Sequence, residues 1–159
     1  MATRLNYAQL APEPTKKLID LGVAVKHSGL DEKIKLLVDI RVSQINGCAF
    51  CVDMHTKQAK IAGERELRLH HLAIWWESPL FDTREKAALG WAEALTKLPA
   101  HGIPDDLYAE TAAQFSEKEV ADLTFAVAAI NAWNRLGIAF RNVPGSNDKA
   151  FGIDKSGLI

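Results

Sequence analysis

Two cysteines stand three residues apart, as Cys48-Ala49-Phe50-Cys51, and His55 follows four residues after the second. A helix advances about 100° per residue, so relative to Cys51 the Cys48 side chain lies roughly 60° to one side and His55 roughly 40° to the same side. On a helix the three groups share one face. Only a thiolate attacks an electrophile, and a free thiol is mostly protonated near neutral pH. An imidazole one turn beyond Cys51 can take that proton, directly or through a water, or hold the thiolate as an ion pair. Cys48, near the helix start, gains from the unpaired N–H groups and the positive end of the dipole. Once one sulfur is oxidised the other can close a small intrahelical disulfide, which an external dithiol reopens. The dipole favours Cys48 as the attacking sulfur and the histidine favours Cys51, so the chemistry alone leaves the order open.

Other groups near the pair read differently. Asp53 points about 200° from Cys51, together with Lys57 and Lys60. Asp53 and Lys57 read as a solvent-side i,i+4 ion pair worth about 0.3 kcal/mol. Cys48, Cys51 and His55 would also make three ligands for zinc, with His70 or His71 as the fourth. There is no second C-x-x-C, and the reading adopted has no metal and no cofactor. Arg41 and Gln44 could line the mouth of the site. Trp75, Trp76, Trp91 and Trp133 read as core or subunit contacts, with at least one at an oligomer interface.

The elements that must position these groups are helical. Gly, Pro and capping residues divide the chain into about seven helices. Pro12 and Pro14 open the first, which stops at Ser28-Gly29. The second runs from near Asp31 to Asn46-Gly47 and is apolar on two sides, with Ile34, Val38, Val42 and Ile45 on one and Leu36 and Ile40 on the other, as suits a central helix. The third runs from about Cys48 to Ala62 and the fourth from Glu64 to Glu77. Asp82 to Glu85 and Ser116 to Glu119 resemble capping boxes opening helices through Lys97 and toward Phe140. A short helix covers Asp105 to Phe115, and the tail after Pro144 is expected on the surface or on a neighbour. No segment alternates like a half-buried strand. The expected fold is all-α, a compact bundle forming one domain over 1–159.

Nineteen Lys and Arg against twenty Asp and Glu leave a net charge of −1. No basic face marks nucleic acid or a membrane surface as a partner. No apolar run approaches the roughly 20 residues of a spanning helix. The first residues lack a secretory signal, so the cytoplasm is expected. In that reducing compartment a lone cysteine pair points to catalysis, redox sensing or metal binding before a structural staple.

The stretch IRVSQINGCAFCVDMHTKQA resembles the thiol signature of the alkylhydroperoxidase D-like (AhpD-like) proteins of the carboxymuconolactone decarboxylase superfamily. AGERELRLHHLAIWWESPLFDTREKAALGWAEALTKL resembles the continuation in the short members, so the likeness covers a core thiol region of about residues 30–98. The resemblance implies an AhpD-like helical fold, homo-oligomers (trimers or hexamers) and peroxidase or disulfide-reductase chemistry. It implies Cys51 as the peroxidatic thiol, Cys48 as the resolving thiol and His55 as the proton relay. A hydroperoxide would be the substrate, and an external dithiol of thioredoxin or lipoyl type the reductant. Two positions depart from the pattern: Leu36 stands where a glutamate is expected, and Phe50 where a histidine is. Glu32, Asp39 or Glu85 could supply the missing carboxylate. Glu85 is the supporting carboxylate carried forward, although it also sits where a capping-box glutamate belongs. A redox-responsive oligomeric binding protein with little turnover, and a lactone decarboxylase, which does not call for the thiol pair, are the alternatives.

Overall fold

Capping side chains set the helix boundaries. In the computed structural model, which describes residues 2–158, Asp31 accepts the N–H groups of Lys33 and Ile34 to open one helix. Asp82 with Glu85 and Ser116 with Glu119 form two complete capping boxes. The elements are α1 (Tyr7–Leu10), α2 (Pro12–Lys26), α3 (Glu32–Asn46), α4 (Ala49–Ile61), α5 (Glu66–His71) running into a 3₁₀ turn (Leu72–Ile74), α6 (Thr83–Lys97), α7 (Asp105–Ala112), α8 (Glu117–Phe140) and α9 (Asp148–Phe151). There is no strand among the described residues. The all-α expectation holds. The two helices beyond the expected seven, α1 and α9, are four residues long.

The helix expected over Glu64 to Glu77 is shorter than its sequence pattern. α5 ends at His71, passes through the 3₁₀ turn, and the chain folds back so that the Ser78 hydroxyl meets the His71 Nδ1 at 3.0 Å. Arg68 fixes the return, bonding the carbonyl of Leu80 and the carboxylates of Glu64 and Glu85. Two partners from the returning chain, with Glu64 one turn away, outweigh further turns of local helix.

α3 is central, with both its faces buried. Ile34, Val38 and Val42 pack with Ala88, Trp91, Leu123, Val127 and Ile130 of α6 and α8. Leu36, Leu37 and Ile40 pack on the other side with Ala59, Leu72, Phe81 and Leu89. α8 is long and apolar enough to cross a membrane by length and composition, contrary to the sequence expectation. Here it puts Val120, Leu123, Ala126, Val127 and Ile130 into the core. A polar seam pins α8 to its neighbours. Asn134, fully buried, donates to the Ser43 hydroxyl at 3.0 Å and accepts from the Asn46 amide at 2.8 Å. The Asn46 amide also reaches Asn131, whose own amide donates to Thr96 of α6.

Lys57 corrects another expectation. It is not solvent-side but 5% exposed, its Nζ 2.9 Å from Asp53 and 2.7 Å from Asp148 of α9. The Gly145 N–H donates to Asp53 from the same tail. The tail therefore lies on α4 and covers this lysine. Hydrogen bonds donated to Asp148 and Asp53 hold the ammonium pKa above its ordinary value. Lys57→Met would leave two carboxylates facing each other without a cation, at a cost of about 1–3 kcal/mol given their partial exposure. Denaturant unfolding checks the loss, and faster amide exchange at residues 145–153 checks its place. The pKa is raised, so this stability is complete below the ordinary lysine value of about 10.4 and is lost as pH rises through the folded value. The variant should lack that alkaline dependence.

Candidate functional site

Gly47, at φ 72°, ends α3 in the left-handed region and lets the chain turn directly into α4. The next residue, Cys48, donates its N–H to the Ser43 carbonyl at 3.0 Å. It is the N-cap of α4: its Sγ accepts the N–H of Cys51 at 3.3 Å. Sulfur thus occupies the place of the usual capping oxygen, at the positive end of the helix. Cys48 and Cys51 are joined by a disulfide with Cα atoms 5.3 Å apart. Both are buried, at 1% and 2% exposed.

His55 lies one turn beyond Cys51 on the same helix and is 8% exposed. Its Nδ1 is 2.8 Å from Gln58 Oε1 and 3.7 Å from Asp39 Oδ2. The Gln58 oxygen can only accept, so Nδ1 carries the hydrogen and Nε2 of the neutral ring is the free base, with the Asp39 charge close by. Asp39, 2% exposed, also binds Lys35 Nζ at 2.6 Å. Burial pushes the imidazole pKa down. Asp39 and the Gln58 hydrogen bond oppose that shift, and the Lys35 charge adds to it. Burial is the largest effect, so the ring is neutral at pH 7 and able to accept a proton.

The carboxylates expected to support the histidine are thereby distinguished. Asp39 meets His55. Glu32 is exposed in the first turn of α3. Glu85 accepts the Asp82 N–H at 2.9 Å and pairs with Arg68. This carboxylate closes a capping box and braces α5, and the bonds it makes do not reach the thiols. Leu36 packs in the apolar cluster that includes Ala59, where an ionised carboxylate would be costly. His70 is exposed and His71 is held by Ser78. Among the described residues no group of three His, Cys, Asp or Glu side chains is placed to hold a metal ion. Arg41 pairs with Glu93, which Trp75 also binds.

Two neighbours escaped the sequence reading. Gln58, one helical turn past His55, was legible as an i+3 partner. Gly137, buried on α8, lies so close that a Cβ there would sit 3.1 Å from Cys48 Sγ and 3.4 Å from Cys51 Sγ. Its only sequence signal was a glycine inside a helical pattern.

The depressed pKa of His55 makes an acid-side prediction. Its stabilising contribution is present above the unfolded histidine value of about 6.5 and is lost as pH falls through that value toward the lower folded one. His55→Leu should flatten the decline in unfolding free energy below about pH 6.5. Chemical denaturation across a pH series measures this, and an unchanged slope would contradict it.

The sequence profile of the carboxymuconolactone decarboxylase family matches residues 12–94, more than half of the chain. The uncharacterized protein YdfG of Bacillus subtilis is 40% identical over 142 residues, covering 89% of this chain and 97% of its own. A protein of unknown function from Agrobacterium tumefaciens, for which an AhpD-type antioxidant-defence role has been suggested, superposes with a TM-score of 0.86. That crystal structure is 42% identical and covers 90% of this chain and 98% of its own. An uncharacterized peroxidase-related protein from Ralstonia eutropha, with an alkylhydroperoxidase AhpD core, shares the fold at a TM-score of 0.77 and 18% identity, over 88% of this chain and 75% of its own. A shared sequence profile, a full-length relative and a common helical frame agree: the chain belongs to the carboxymuconolactone decarboxylase family, with the AhpD-like fold.

Proposed function

We propose that this protein is a thiol-dependent peroxidase that reduces an alkyl hydroperoxide with Cys51 and Cys48. The observation that carries the reading is a bonded cysteine pair at the N-terminus of α4 with a neutral imidazole one turn along the same helix. In the reduced protein His55 Nε2 takes the Cys51 proton. The thiolate attacks the terminal peroxide oxygen, forming an S–O bond as the O–O bond breaks, and the alcohol leaves with the proton returned by His55. Cys51 is then a sulfenic acid. The Cys48 sulfur attacks it, the S–S bond forms, and the S–O bond breaks with loss of water. One hydroperoxide and two thiols yield one alcohol, one water and one disulfide. An external dithiol, of thioredoxin or lipoyl type, is oxidised in turn as it restores the thiols by exchange.

Gln58 acts in this scheme as the positioning group, holding Nδ1–H so that Nε2 is the basic atom, and Asp39 places a negative charge 3.7 Å from the same nitrogen. The suggested antioxidant role of the Agrobacterium protein supports the same class of reaction. The reading includes a homo-oligomer, trimeric or hexameric, in the reducing cytoplasm. A near-zero net charge and the half-exposed Trp76 support self-association. Burial of both sulfurs also favours a second reading, in which disulfide formation alters an oligomer surface with little turnover.

Cys51→Ser should abolish hydroperoxide consumption, and Cys48→Ser should leave a sulfenic acid that dimedone traps. Full turnover by Cys51→Ser would end the peroxidase reading. His55→Gln should lower the rate of Cys51 oxidation by about 10²-fold. Asp39→Asn, which removes a charge that favours the imidazolium, should move the acid limb of the pH–rate profile to lower pH. An oligomer whose sizing profile follows thiol state while peroxide persists would instead favour the second reading.

A further inference from the structure

Gly137 sits in the last turn of α8, a 24-residue helix, with a helical backbone outside the left-handed region. Nothing in its conformation requires glycine, and glycine weakens a helix interior relative to alanine. The other helical glycines have ordinary room. A Cβ on Gly22 would meet nothing within 4 Å, and one on Gly90 would make contacts of 3.6 Å. Only at Gly137 would a methyl group press on the reacting atoms, 3.1 Å from Cys48 Sγ and 3.4 Å from Cys51 Sγ.

We propose that Gly137 is the steric determinant of the thiol site: its missing side chain leaves the space in which the Cys48–Cys51 bond opens and Cys51 takes up its electrophile. Two sulfurs released from a bond must separate to van der Waals distance, and both are walled in by protein. A sulfenic oxygen on Cys51 adds a further atom. The Gly137 side of the pair is where a neighbouring helix offers backbone without a side chain. With the disulfide closed the space is slightly less than a methyl group needs, so it favours the terminal oxygen of a hydroperoxide, or the single carbon attacked in a small alkylating agent, over bulkier groups. The identity of the peroxide rests on the function proposed above, whereas the steric claim concerns the thiols themselves.

The test uses the reduced protein and iodoacetamide as the probe, with no peroxide. Gly137→Ala should slow Cys51 alkylation about tenfold or more on the high-pH plateau, where the thiol is fully ionised, with the pH midpoint unchanged. Gly22→Ala serves as the control and should alkylate at the wild-type rate. In a Cys48→Ala background, where the closest contact is gone, adding Gly137→Ala should cost less than about threefold. Equal alkylation rates for Gly137→Ala and wild type would overturn the proposal. If Gly137→Ala fails to fold, the double variant decides. A folded double variant places the clash at the sulfur, and an unfolded one shows that the glycine serves helix packing and overturns the proposal. If wild type is inert to hydroperoxide yet the alkylation contrast holds, the peroxidase reading fails and the assignment of Gly137 stands.

Discussion

The antiparallel docking of α4 on α3 governs the site. It brings Asp39 level with His55 and Leu36 level with Ala59, and it lets the Ser43 carbonyl receive the Cys48 N–H. Each pairing has a separate physical meaning. The first gives a buried imidazole a carboxylate. The second buries an apolar patch. The third starts α4 with sulfur in the capping position. A one-residue shift of α4 along α3 would break all three at once. α3 is fixed by local chemistry at both ends, the Asp31 cap at one and the left-handed Gly47 at the other.

Burial then decides the charge state of that imidazole. Coulomb attraction to Asp39 favours the cation, and burial opposes it and prevails. Lys35 reinforces the outcome, because its ammonium already holds the same carboxylate oxygen at 2.6 Å. Asp39 thus gives its hydrogen bond to Lys35 and acts on the ring by charge, while Gln58 orients it. A neutral ring with its hydrogen fixed on Nδ1 leaves the lone pair on Nε2, the state a thiol needs in order to lose its proton.

Much of this was readable before any coordinates. The cysteines and His55 fall on one helix by their spacing, and both capping boxes open helices where Asp82 and Ser116 announce them. The two-sided apolar pattern of α3 correctly placed it at the centre. What was not readable depended on partners distant in sequence. Glu85 was preferred to Glu32 and Asp39 as the supporting carboxylate, and tertiary packing gives Asp39 to His55 and Glu85 to Arg68 instead. Lys57 looked like a surface residue because its second carboxylate, Asp148, is 91 residues away. The end of α5 was hidden for the same reason, since its termination depends on Arg68 bonding residues from the returning chain. Gly137 carries no chemistry of its own, and its meaning emerges only from what lies against it.

The amide seam of Asn46, Asn131 and Asn134 bears on that last point. Buried carboxamides tolerate little sliding, because each must keep its partners or pay for stranded polar atoms. Asn134 thereby sets both the height and the rotation of α8 over α3, one turn before the chain reaches the sulfurs. With the helix so indexed, the residue delivered to the disulfide is the one without a side chain. A slip by one position would present Leu136 or Ile138 there instead. Amides that take no part in any reaction act as the gauge that spaces one helix from the cysteines of another.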